Sequence, residues 1–221
     1  MRHCITPFNQ PAFLYSCITS LALLLCSFVV NIYAGLYATE KASNPVTDIV
    51  LSNIPAVDVS LVFIYGPFIL WALVAGLCIQ QPYRIPFTLK SISLFVLIRS
   101  VFISLTHIGL FPTATDFTSA TSLGEVMQLF TFGGDLFFSA HTGLPFLMAL
   151  LFWPLPFWRW FFTLSAVFFG VIVLLGHLHY SIDVLAAFFI TYTIAHIARW
   201  TFPVDARLFD SVTPVSSPTT L

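Results

Sequence analysis

Long apolar runs separated by short polar ones set the pattern of this chain. A helix that crosses a ~30 Å hydrocarbon layer needs roughly 20 mostly apolar residues. Six runs reach or approach that length: about 12–36, 60–80, 88–111, 139–157, 158–177 and 180–202. They predict an all-α, polytopic membrane protein with six transmembrane helices in one bundle covering residues 1–202. Pro154 and Pro156 interrupt the fourth run near its end and predict a tight hairpin into the fifth. The first run has Arg2 before it and small residues near its end, as a signal peptide does, but it is longer than an ordinary signal core and is expected to remain as a helix. No repeat or second domain stands out, and the Pro-, Ser- and Thr-rich residues 203–221 predict a disordered tail.

Composition sharpens this picture. The 221 residues are 58% hydrophobic and 8% charged, with a mean hydropathy of +0.96, beyond the range of a soluble domain. No basic stripe points to nucleic acid. The placement of charge is more informative than its sum of −1. Loops kept on the cytoplasmic side carry an excess of Lys and Arg. With the N-terminus inside, the inner segments hold Arg2, Arg84, Lys90, Arg159, Arg199 and Arg207, whereas the outer loops hold Lys41 alone; Arg99 lies within the third run. Both termini are therefore expected to be cytoplasmic, and the loops near 37–59, 112–138 and 178–179 exoplasmic or periplasmic. The four cysteines, Cys4, Cys17, Cys26 and Cys78, have no metal-ligand or disulfide spacing, and no His-Glu-x-x-His cluster occurs. No metal or other cofactor is expected.

Against this background two polar runs stand out, residues 133–142 (Gly-Gly-Asp-Leu-Phe-Phe-Ser-Ala-His-Thr) and 176–183 (Gly-His-Leu-His-Tyr-Ser-Ile-Asp), both at helix ends on the expected outer side. His179 and Asp183 are four apart, a spacing that lets side chains meet on one helix face. A carboxylate that accepts from one imidazole nitrogen fixes the tautomer and makes the other nitrogen a better nucleophile. His141 starts the fourth helix on the same side, where it is placed to act as general acid or base. Two helix N-termini meeting there suit an anion such as phosphate, so phosphoryl-type transfer is the chemistry suggested. Further candidates surround this centre. Arg99, an expensive charge inside a helix, either binds phosphate or pairs with an acid such as Asp58. Asp135 either orients His141 or caps its loop. His177 is a polar neighbour with a possible substrate contact, and Glu125 lies in a segment, residues 123–132, expected to fold over the site as a short amphipathic helix. His107 is expected at the cavity mouth and His196 near the opposite end.

Ser139-Ala140-His141-Thr142 followed by His179-Tyr180-Ser181-Ile182-Asp183 resembles the paired motifs of the sphingomyelin synthase branch of the type-2 phosphatidic acid phosphatase superfamily. That branch reads Gly-Asp, a few residues, Ser-Gly-His-Thr, and then His-Tyr-Thr or Ser-x-Asp. Weaker similarity reaches Arg99 with Leu105-Thr106-His107, and Pro55 to Asp58. The resemblance implies a phosphohistidine mechanism. His179 attacks the phosphorus of a phospholipid head group, Asp183 supports it, and His141 protonates the departing lipid alcohol and then deprotonates the acceptor. It also brings Ser139 and Tyr180 in beside Arg99, Asp135, His177, Glu125 and Asp58 as candidate substrate-binding residues. Ala140 departs from the usual Gly. The basic residues that clamp a phosphomonoester in related phosphatases are missing, with Val173 six positions before His179. That favours a phosphodiester donor. The expected partners are a membrane phospholipid donor and a lipid acceptor: ceramide would make the enzyme a transferase, and water would make it a lipid phosphatase or phospholipase C-type hydrolase. A non-enzymatic transporter or lipid-binding protein is the rival of another class, and the lack of repeats and the presence of all three catalytic residues speak against it.

Overall fold

The computed structural model describes Phe8, residues 10–115 and residues 134–213. Among these residues the chain forms α1 (Pro11–Glu40), α2 (Ser60–Gln80), α3 (Ile85–Leu105), α4 (Ala140–Leu151), α5 (Pro156–Leu175), α6 (Ser181–Thr201) and α7 (Pro203–Ser211), with short 3₁₀ turns at Leu51–Asn53 and Pro82–Arg84. Proline sits in the first turn of α1, α3, α5 and α7, where its missing N–H leaves no helical bond unmade.

Five of the helices, α1, α2, α3 with its preceding turn, α5 and α6, are long and apolar enough to cross a membrane. The expected fourth span is shorter than its apolar run. α4 has 12 residues, about 18 Å of helix, because Pro154 disfavours the helical conformation at Trp153 and the chain turns at Phe152. Among the described residues the six expected spans thus comprise five helices of spanning length and one short apolar helix. The tail, expected to lack structure from residue 203, is helical in its first part. Residues 203–211 form α7, which buries Ala206 and Phe209 and carries Asp205 to Lys90 at 2.6 Å and to Ser16 Oγ at 2.5 Å.

α3 lies at the centre, with α1 packed along it and α6 and α7 beside it, while α4 packs between α5 and α6. On α1 the buried positions include Ser20, Ser27, Asn31, Ala34, Gly35 and Ala38. Such small residues let helix backbones approach closely where lipid offers no hydrophobic driving force. A cluster rich in phenylalanine, including Phe87, Phe95, Phe138, Phe152, Phe162 and Phe209, fills the interior. Large apolar side chains such as Ile69, Leu105, Leu164, Phe189 and Trp200 remain exposed on the outer face, as a lipid-facing surface requires.

Candidate active site

The two polar runs meet at the end of the bundle where α3 and α5 finish and α4 and α6 begin. α5 stops in a reversal in which the Leu178 N–H donates to Val173 O and the His177 N–H to Leu174 O. This helix-ending motif needs one residue in the left-handed region, a place usually taken by glycine. Here it is His177, at φ 53°, so an imidazole stands where glycine would cost less. Its Nδ1 lies 2.5 Å from Thr113 Oγ1, and its Nε2 is buried without a hydrogen-bond partner among the described residues.

Two residues on, His179 is buried and its Nδ1 lies 2.8 Å from the carbonyl oxygen of Leu136. A carbonyl can only accept, so Nδ1 carries the proton and Nε2 of the neutral ring keeps its lone pair. The spacing of His179 and Asp183 pointed to the carboxylate as acceptor. Asp183 Oδ2 in fact stands 3.5 Å from Nδ1, because it accepts the Tyr180 N–H at 2.9 Å at the start of α6. Asp183 therefore caps its helix and faces the imidazole as a charge. Its second oxygen, Oδ1, is buried and has no hydrogen-bond partner among the described residues. A second link joins the runs: the Ser139 N–H donates to Asp183 O at 3.3 Å.

His141, in the first turn of α4, stacks on Phe63 with ring centres 4.0 Å apart and donates from Nε2 to Phe63 O at 3.3 Å. Its imidazole is within electrostatic range of both His179 and Arg99. Ser139 caps α4, its Oγ accepting the Thr142 N–H at 3.4 Å. Tyr180 is held from two sides, donating to Gly109 O at 2.8 Å and accepting the Val46 N–H at 3.2 Å.

Arg99 and Asp135 resolve each other. Arg99 is 5% exposed and bonds to Asp135 Oδ2 at 3.2 Å and to Phe138 O at 2.9 Å. It does not pair with Asp58, whose exposed carboxylate accepts from Ser60 N–H at 2.9 Å and from the Ser60 hydroxyl at 2.6 Å. Asp135 serves Arg99, and no bond between it and His141 is present. Glu125 and the expected amphipathic segment lie outside the described residues. His107 bonds to Ser104 O at 3.1 Å and packs against Tyr37, and His196 packs on Tyr192 at the far end.

Two contributors escaped the sequence reading. The Leu136 carbonyl is a backbone group, invisible in residue type. Asp48, buried in the loop after α1, accepts from Ser181 N–H at 2.7 Å, Val50 N–H at 2.8 Å and Leu51 N–H at 3.1 Å. Burial pushes its carboxyl up, but these amide donors more than offset that and hold it below the ordinary value of 3.8. Among the described residues no three His, Cys, Asp or Glu side chains stand together as a metal site would need.

The fold and site define a helical, membrane-embedded protein with two histidines and a carboxylate converging at one end of the bundle. Residues 133–200 match the PAP2 superfamily C-terminal family. The matched stretch contains both polar runs, and it supports the type-2 phosphatidic acid phosphatase superfamily, whose members are phosphatases and phosphotransferases. No curated protein and no solved structure matches the chain.

Proposed function

We propose that the protein is a lipid phosphotransferase that moves a phospho-head group from a glycerophospholipid to a lipid alcohol such as ceramide, as in the sphingomyelin synthase branch. The observation that carries this reading is the Nδ1 bond of His179 to Leu136 O, which leaves Nε2 free as a nucleophile. In the first step Nε2 forms a bond to phosphorus as the bond from phosphorus to the diacylglycerol oxygen breaks. His141, protonated on Nδ1, gives that proton to the departing alkoxide, its Nε2 being held by Phe63 O. In the second step His141 takes the proton of the acceptor hydroxyl, the acceptor oxygen bonds to phosphorus, and the bond to His179 breaks. Asp183 offsets the positive charge that the His179 ring carries while phosphorylated. The basic residues Arg84, Lys90, Arg159, Arg199 and Arg207 belong to the opposite half of the bundle, which supports a site facing the exoplasmic or periplasmic side.

The test is incubation of the purified protein with fluorescent ceramide and mixed phosphatidylcholine, phosphatidylethanolamine, phosphatidylinositol and phosphatidylglycerol, followed by mass spectrometry. The proposal expects a phospho-ceramide that is absent with His179→Ala. Release of diacylglycerol and free phospho-head group without that product would assign a hydrolase instead, with water as acceptor.

A further inference from the structure

Among the buried groups around the site, the ion pair of Arg99 and Asp135 is the one whose partners lead directly to His179. We infer that Arg99 and Asp135 are positioning residues for His179, acting through the backbone carbonyl of Leu136, and that Arg99 does not bind the phosphate. This inference rests on the proposed role of His179 as nucleophile.

All three guanidinium nitrogens of Arg99 are engaged. Nε donates to Phe138 O at 2.9 Å, Nη1 to Asp135 Oδ2 at 3.2 Å, and Nη2 to Asp135 O at 2.5 Å and Oδ2 at 3.2 Å. The two carbonyls, of residues 135 and 138, bracket Leu136. A planar fork with fixed donors can pin several acceptors of one short segment at once, which a single ammonium cannot do. The pinned segment turns the Leu136 carbonyl onto His179 Nδ1 at 2.8 Å. The other acceptor beside Nδ1 among the described residues is the Asp183 carboxylate, whose Oδ2 stands 3.5 Å away and is held by the Tyr180 N–H, so it does not take over the bond without itself moving. If the segment shifts by about an ångström, the Nδ1 proton loses its acceptor and the ring is free to carry its proton on Nε2 instead. For a phosphate to claim Arg99, the buried pair with Asp135 would have to be weakened or broken, which is costly for two charges out of water.

The test compares wild type, Arg99→Lys and Asp135→Asn, each checked for folding by size exclusion and thermal unfolding. Arg99→Lys keeps the charge and loses the fork. With fluorescent ceramide and the mixed phospholipids, kcat should fall by about 10²-fold while KM stays within about twofold. Asp135→Asn should move kcat in the same direction by less, because an amide oxygen still accepts from Arg99. The second readout is ¹⁵N NMR of histidine-labelled protein, with the His179 signals identified by their loss in His179→Gln. The wild type should show a neutral ring protonated on Nδ1, and both variants a mixture of tautomers. A rise in KM with kcat retained in Arg99→Lys would assign Arg99 to the phosphate and overturn the inference, as would an unchanged tautomer in both variants. Absence of any His179-dependent turnover in the wild type would remove the nucleophile reading, and the tautomer comparison would then decide the positioning role by itself. If Arg99→Lys does not fold, Asp135→Asn carries both readouts.

Discussion

At the end of the bundle where α1 begins and α6 finishes, most of the buried charge is closed upon itself. Lys90 and Asp205 meet at 2.6 Å, Ser16 bonds to both, and Arg84 spends its three nitrogens on Leu77 O, Val212 O and Thr213 Oγ1. Arg159 is less completely bonded there, with Nε unpartnered, but its guanidinium lies over Trp153 and Trp160. At the opposite end charge is also paired, Arg99 with Asp135, yet among the described residues Asp183 Oδ1 and His177 Nε2 are buried without partners. An unpaired buried polar atom costs about 1–3 kcal/mol. The far end therefore reads as a lock that joins α7 to α1 and α3. The near end keeps lone pairs and a strained backbone in reserve, the pattern that proteins concentrate where substrate binds.

The contrast can be broken in order of expected effect. His141→Ala, at the near end, should lower kcat about 10²–10⁴-fold with little change in thermal unfolding; a stability loss with undiminished kcat would place His141 with the structural residues. Asp205→Ala, at the far end, should do the reverse. Removing one partner of a buried pair costs about 3 kcal/mol, read as a lower midpoint in thermal unfolding, while kcat per folded molecule is unchanged.

Asp48→Asn should weaken the grip of the first outer loop on α6 by about 1–2 kcal/mol. Because the Asp48 carboxyl sits below its ordinary value, its contribution is present in full above pH 3.8 and is lost as pH falls through the lower folded value. Thermal unfolding from pH 5 downward should show that acid-side loss in the wild type, and the loss should be smaller in Asp48→Asn. The smallest effect is expected from His177→Gly. It relieves the left-handed strain and should raise stability by about 1 kcal/mol, while KM rises if the bare Nε2 meets substrate; a stabilised variant with unchanged KM would remove His177 from the site.

Much of the fold is written in the lengths of the apolar runs, because a hydrocarbon layer imposes a minimum on them. α2 matches its run of 60–80 residue for residue. α4 fell short because Pro154 acts on the residue before it, inside a stretch that remains apolar through the turn. α7 was obscured by the Ser, Thr and Pro that follow it, although Pro203 with Ala206 and Phe209 carries a short helical period. In the site, Arg99, Asp135, His141, His179 and Asp183 were all legible as polar groups too costly to bury without purpose. Their pairing was less so. Arg99 and Asp135 are 36 residues apart, with nothing in either residue to choose the other, and the acceptor for His179 is a carbonyl that any residue at position 136 would supply. Nothing in the sequence singles out Asp48, and only the fold shows that it reaches Ser181, the first residue of α6.

The most direct test of the account is to trap the covalent intermediate. Protein incubated with the mixed phospholipids is quenched in alkaline denaturant, where a phosphohistidine survives, and mapped by mass spectrometry beside His179→Ala. The account predicts a phospho-head group attached to His179 and absent from the variant. Transfer that continues in His179→Ala, or an adduct on another residue, would contradict it.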